Sequence, residues 1–298
     1  MSPFAAPGRH LWLPALFVVL WASGYPACKA SVLHASASTV LFLRYAGAIM
    51  VLLVVALVAH ARWPSGLRQW GHLAVAGVLI HGIYLGINFA AAARGFPVGI
   101  TALIGALQPL LTAVIAGVFL HERVSQRQWL GLLLGLGGVL MVLTDRVAFD
   151  WSHPVQAAWV TVALVAMTAG TLYQKRFCAF MDWRTGVTVQ MMLPCAFMLV
   201  AAFFDRPRGV DAAPAFFAGI AWLVVLSSGM YGILHVLFLR GESAQAASLF
   251  YLVPVVTSSF MYLMFGERLG PLALAGIVVV VAGVLFATSR TPARAAAR

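Results

Sequence analysis

Arg44 is the residue whose type and place ask most insistently for a chemical reason. It stands in the apolar run Leu41-Phe42-Leu43-Arg44-Tyr45-Ala46-Gly47. An ionised side chain at the centre of a membrane helix costs about 2.5–3.5 kcal/mol or more, so it needs a partner. Two readings fit: a site for the carboxylate of a bound solute, or a structural arginine that snorkels outward or binds freed carbonyls. His81, Tyr84 and Asn88 are spaced three and four apart and fall on one helix face. Ser228, Tyr231 and His235 repeat that spacing. Two such stripes suit either a shared wet cavity or hydrogen bonds between helices. His81 belongs to the class that binds protons near neutral pH, although a lone buried histidine also serves structure.

Proline supplies a second kind of candidate. Pro109 and Pro254 each remove a backbone donor from an apolar run and free a carbonyl. In lipid such a carbonyl must be satisfied by protein or water, and Gln108, Thr112, Tyr251 and Thr257 stand close enough in sequence to do so, or to contact a solute. Pro26 and Pro194 add kinks to two further runs. Glu122-Arg123 and Glu267-Arg268 each close an apolar run, which reads as an end-capping salt bridge rather than a proton carrier. Lys29 and Lys175 read as snorkelling residues or charged vestibules. Cys28, Cys178 and Cys195 form no C-x-x-C pair and read as small buried hydrophobes. There is no Walker motif, no G-x-S-x-G and no H-E-x-x-H. No enzyme, metal or cofactor reading therefore has a residue set behind it.

The elements that must position these residues are membrane spans. Hydrophobic residues make up 62% of the 298 and charged residues 9%; soluble domains run at about 45–50% and about 25%. Ten runs are long and apolar enough to cross a bilayer: 11–30, 38–60, 70–93, 98–120, 127–144, 157–176, 185–204, 216–238, 245–265 and 271–289. The gaps between them leave no room for a soluble domain. The net charge of +11 would suggest nucleic acid in a soluble protein. Here the bases sit between spans, so the reading is topology and a lipid bilayer, with no nucleic acid. With both termini on one side, that side carries twelve Lys and Arg and the other six, leaving Arg44 inside a span. The positive-inside rule then places both termini in the cytoplasm.

The chain also repeats itself. Pro109, Thr112, Glu122-Arg123, Gly131 and Gly138 recur 145 residues later as Pro254, Thr257, Glu267-Arg268, Gly276 and Gly283. Upstream the offset is 146, pairing Gly24 with Gly170, Lys29 with Lys175, Arg44 with Gln190, and Arg94-Gly95 with Arg240-Gly241. Five spans is an odd number, so the second half enters the membrane from the opposite face. The expectation is an all-α integral membrane protein of two inverted five-helix repeats. An N-terminal tail (1–10) precedes the first repeat (11–144). A linker (145–156) leads to the second repeat (157–289) and a basic C-terminal tail (290–298). Gly131-x-x-x-Gly135 with Gly138 offers a close helix contact, within one chain or between two.

Span one ends in WASGYPACKASV, and each half ends with Pro, a Glu-Arg thirteen residues on, and a Gly-rich helix. In these features the chain resembles the EamA family of the drug/metabolite transporter superfamily over nearly its whole length. Ala22, where many relatives carry Gly, and Gln190 opposite Arg44 are departures. The resemblance implies ten helices and a secondary transporter, often an exporter, of small metabolites such as amino acids or their derivatives. Transport would run by alternating access around a central cavity, in a bacterial-type cytoplasmic membrane. It adds Trp21, Trp159, Thr168 and Thr171 to the residues facing that cavity. Partners would be a small-molecule substrate, lipid and, if coupled, protons. Carriers of phosphorylated or nucleotide-linked sugars share the superfamily, and a non-transporting scaffold or membrane enzyme is the reading from outside it.

Overall fold

The computed structural model describes residues 12–96, 101, 104–122, 124–144, 154–205, 211, 213–240, 243–265 and 270–288. Among these the regular structure is helical throughout. The helices are α1 (Trp12–Val32), α2 (Ala37–Val58), α3 (Leu67–Ala93), α4 (Gln108–Phe119), α5 (Gln126–Thr144), α6 (Pro154–Phe177), α7 (Trp183–Phe204) and α8 (Pro214–Arg240). They continue as α9 (Ser243–Ser248), a 3₁₀ turn at Leu249–Tyr251, α10 (Leu252–Phe265) and α11 (Pro271–Thr288). Among the described residues seven helices are long and apolar enough to cross a membrane: α1, α2, α3, α6, α7, α8 and α11. Large apolar side chains such as Leu57, Val58, Phe197, Phe203 and Leu285 face outward. An apolar exterior on this scale belongs against lipid rather than water. The chain is a multi-pass membrane protein.

Packing partners follow the sequence repeat. α1 lies on α8, and their counterparts α6 and α3 lie on each other; α2 packs on α7, and α5 on α11. The α5–α11 contact is backbone to backbone. A Cβ added to Gly138 would sit 2.6 Å from the Val280 nitrogen and 2.8 Å from the Gly276 oxygen. One added to Gly276 would sit 2.7 Å from the Gly138 oxygen, and Gly131 and Gly283 meet the facing helix in the same way. The glycine spacing seen in sequence is therefore spent inside one chain. Gly135 serves another purpose: it makes room for the ring of Tyr251.

Two features depart from a plain helix count. Residues Val78–Leu85 of α3 form a π-helical segment, a geometry that is frequent at functional sites. Gly77, just before it, abuts the backbone of Gln190 in α7 so closely that a side chain has no place there. The break expected at Pro109 lies just ahead of it: helical residues 104–105 give way to a turn at 106–107, and Pro109 occupies the first turn of α4, where its missing N–H costs nothing. Pro254 likewise falls in the first turn of α10, after the 3₁₀ turn. Pro26 and Pro194 lie inside α1 and α7, as expected.

Candidate functional site

α2 turns Ser38, Leu41, Arg44, Tyr45, Ala48 and Leu52 toward the protein. This helical stripe carries Arg44 inward, where it is 4% exposed. Its Nε donates to the Ser227 Oγ of α8 at 2.6 Å. Its guanidinium stands 5.6 Å from the centre of the Phe89 ring, within cation–π range. Its charge also reaches Cys28, Tyr45, His81, Tyr84 and Tyr231. The serine anticipated from spacing was Ser228, but that hydroxyl donates to the Val224 carbonyl of its own helix. Ser227 is the member of the pair that faces Arg44. The repeat offset of 146 could have singled it out, because it places Ser227 opposite His81.

His81 sits in the π segment and is fully buried. Its carbonyl accepts from the Tyr45 hydroxyl at 2.6 Å, which ties the segment to α2. Its ring lies edge-on to Tyr231 at 4.4 Å, and neither ring nitrogen has a hydrogen-bond partner. Tyr231 continues into an aromatic group around Trp21: Phe17, Phe250, Tyr231 and Tyr84 lie 5.4, 4.8, 5.9 and 6.4 Å from its ring. Asn88 donates to the Tyr84 carbonyl one turn back, and Thr168 and Thr171 donate to carbonyls of α6. The two threonine hydroxyls are occupied within their own helix, and Asn88 spends one of its two N–H donors in the same way. Trp159 is 57% exposed and points away from this group, contrary to the expectation for it.

A second polar cluster occupies the matching place in the other half. Gln190 of α7 donates to Gln174 Oε1 at 3.2 Å, and Gln174 Nε2 lies 2.7 Å from His235 Nδ1. By the repeat offset Gln190 answers to Arg44, Gln174 to Cys28, His235 to Phe89 and His81 to Ser227. The same four positions are filled once around a cation and once around neutral amides and imidazoles. Gln174 and the second cluster as a whole were missed from sequence, because an amide in an apolar run carries no charge to flag it.

Gln108, Thr112, Tyr251 and Thr257 gather at the starts of α4 and α10, and the amide nitrogen of the first and the hydroxyls of the other three lack protein partners. At the end of α4, Glu122 bonds Lys175 Nζ of α6 at 2.7 Å and the Ser243 amide of α9 at 2.8 Å. Lys175 is thus tied down rather than snorkelling, whereas Lys29 is exposed. Arg123, Glu267 and Arg268 lie outside the described residues, so the expected Glu-Arg end caps do too. Among the described residues no group of three His, Cys, Asp or Glu side chains could hold a metal ion.

Helices that pair between the two halves, an apolar exterior and a buried polar interior define a polytopic helical membrane protein. The EamA-like transporter family model matches residues 10–144 and again 156–289. The chain belongs to that family. Among its relatives is an uncharacterized transporter YvbV of Bacillus subtilis, 22% identical over 97% of this chain and 94% of that one. A probable terminal-alkyne amino-acid exporter of Streptantibioticus cattleyicolor is 25% identical, covering 96% and 95%. A probable amino-acid metabolite efflux pump of Salmonella typhimurium is 22% identical, covering 92% of each chain. One solved crystal structure shares the fold with a TM-score of 0.78 at 16% identity, over 93% of this chain and 95% of that one.

Proposed function

We propose that this transporter is a secondary exporter of small carboxylate-bearing metabolites, amino acids or their derivatives. It works by alternating access of two inverted five-helix repeats, residues 11–144 and 157–289, in the cytoplasmic membrane with both termini inside. The observation that carries the reading is Arg44: a guanidinium buried to 4% exposure, held by one serine and surrounded by aromatic rings, with no carboxylate bonded to it among the described residues. Such a group recognises a carboxylate strongly, because little water competes. Trp21, Tyr84 and Tyr231 offer apolar walls for the rest of the solute, and His81, Gln108, Thr112 and Tyr251 offer unspent polar atoms. The names of two relatives support the amino-acid class.

The halves would rock about the central site. On the cytoplasmic side Glu122 of the first half holds Lys175 and Ser243 of the second, a contact that must open for solute to enter from within. The test is uptake by proteoliposomes of a panel of radiolabelled amino acids, with and without a pH gradient. Saturable uptake of one class is expected, and its dependence on the gradient separates proton coupling from facilitated diffusion. No flux of any amino acid by folded protein would overturn the reading.

A further inference from the structure

The second polar cluster has a hydrogen-bond direction that can be worked out. The Gln190 side-chain nitrogen lies 3.2 Å from Gln174 Oε1 and 3.6 Å from Met181 Sδ. A thioether accepts but cannot donate. Turning the Gln190 amide over would set its oxygen against that sulfur, so the NH₂ end belongs there. Gln174 must then receive with its oxygen and present its own NH₂ to His235 Nδ1, 2.7 Å away. Nδ1 is therefore an acceptor, and the proton of the neutral ring sits on Nε2. That nitrogen is buried and has no hydrogen-bond partner. Gln174, Gln190 and His235 are 6%, 1% and 3% exposed, so water offers little alternative. A buried donor without an acceptor costs about 1–3 kcal/mol, a cost recovered when an acceptor arrives.

We infer that His235 Nε2–H is a second solute-binding point, a neutral donor whose tautomer is set by Gln174 and Gln190 and whose ligand is a carbonyl oxygen. It rests on the transporter reading for its solute. Along α8, Ser227, Tyr231 and His235 are successive turns of one face, so His235 stands about 12 Å beyond Ser227 along the axis. Tyr231, between them, also has an unpartnered hydroxyl. Arg44 takes the carboxylate of an amino acid, and His235 takes a carbonyl farther along the same molecule. The Arg44 cluster alone favours any carboxylate; the second donor favours those with an acyl carbonyl at the end of a long side chain, as in Nε-acetyl-lysine, because the two ends of glutamine are too close together to span the gap.

The test is ¹⁵N NMR of histidine-labelled full-length protein in nanodiscs, with the His235 signals assigned by their loss in H235Q. At neutral pH the ring should show a protonated Nε2 and a bare Nδ1. Q174E, which can only accept, should put a proton on Nδ1. Saturating Nε-acetyl-L-lysine should shift the Nε2–H resonance and L-2-aminononanoic acid, of similar length but without the side-chain carbonyl, should not. H235F should weaken Nε-acetyl-lysine binding about tenfold, one hydrogen bond's worth, with 2-aminononanoic acid unchanged. A protonated Nδ1 in the unmodified protein, a bare Nδ1 in Q174E, an equal response to both amino acids, or no response to either would each overturn the inference. These spectra are read without transport, so the uptake assay and this one fail separately.

Discussion

Arg44 and Ser227 meet across the two halves of the chain, Nε to Oγ at 2.6 Å. Their counterparts by the repeat, Gln190 and His81, lie on α7 and the π segment of α3, which also pack together, but the Gln190 amide bonds Gln174 rather than the imidazole. The interior is thus built on one plan with one charge. A duplicated arginine would place two cations in a low-dielectric core, where like charges repel strongly. Gln190 keeps the hydrogen-bonding role and drops the charge.

If Arg44 anchors the solute, R44A should reduce uptake at least tenfold while the protein still elutes as a single species in detergent. R44K should recover part of the rate, since a lysine keeps the charge but not the guanidinium fork. S227A should leave more activity than R44A, because it removes one support and not the anchor. Uptake rates beside size-exclusion profiles check all three.

The Glu122–Lys175 pair joins the halves at one end of the bundle, its side chains 19% and 18% exposed. K175M should leave Glu122 without its ammonium and cost about 1–3 kcal/mol of stability. E122Q should cost at least as much, because its one amide oxygen can accept from only one side and its NH₂ faces the other donor, Lys175 Nζ or the Ser243 N–H. Thermal melting in detergent checks the order. Labelling a cysteine placed at Ser243 should speed up in K175M if the contact closes that end.

The glycine seam makes a sharper stability prediction. G138V and G276V each drive a side chain into facing backbone, and overpacking of this kind costs about 1–3 kcal/mol or more. G137A, with open space around it, should be silent. Melting temperatures of the three variants decide the matter.

Cys178 lies between α6 and α7 and is fully buried. Burial pushes its thiol up to about 12. At pH 8 only about one thiol in ten thousand is then the reactive thiolate. In a C28S/C195S background the folded protein should resist N-ethylmaleimide, and protein unfolded in SDS should react at once.

The sequence spoke most clearly where one property dominated. Apolar runs placed seven long helices within a few residues but gave single spans at 98–120 and 245–265, where the described helices are shorter and broken, and the doubled Pro and Glu-Arg spacing led to the family. Arg44 was legible because charge in an apolar run is rare. Ser227 was not, because neighbouring serines differ only in which side of the helix they occupy. The Gln174–Gln190–His235 cluster needs residues brought together from three helices. Glu122 showed the same limit: its neighbour in sequence is Arg123, but its ion-pair partner, Lys175, comes from 53 residues away. The π segment left no mark that hydrophobic periodicity could report.

That segment has a mechanical consequence. α3 and α8 each contain 27 residues and occupy matched places in the two halves. An all-α helix of that length rises about 40 Å. A π turn holds more residues per turn, so α3 is wider and shorter than its twin. A shorter α3 would suit a thinner hydrocarbon layer than a straight α8, a difference that tilting of α8 can absorb. If the halves rock as proposed, acyl-chain length becomes a control on the balance between the two orientations, acting through the membrane rather than through the solute.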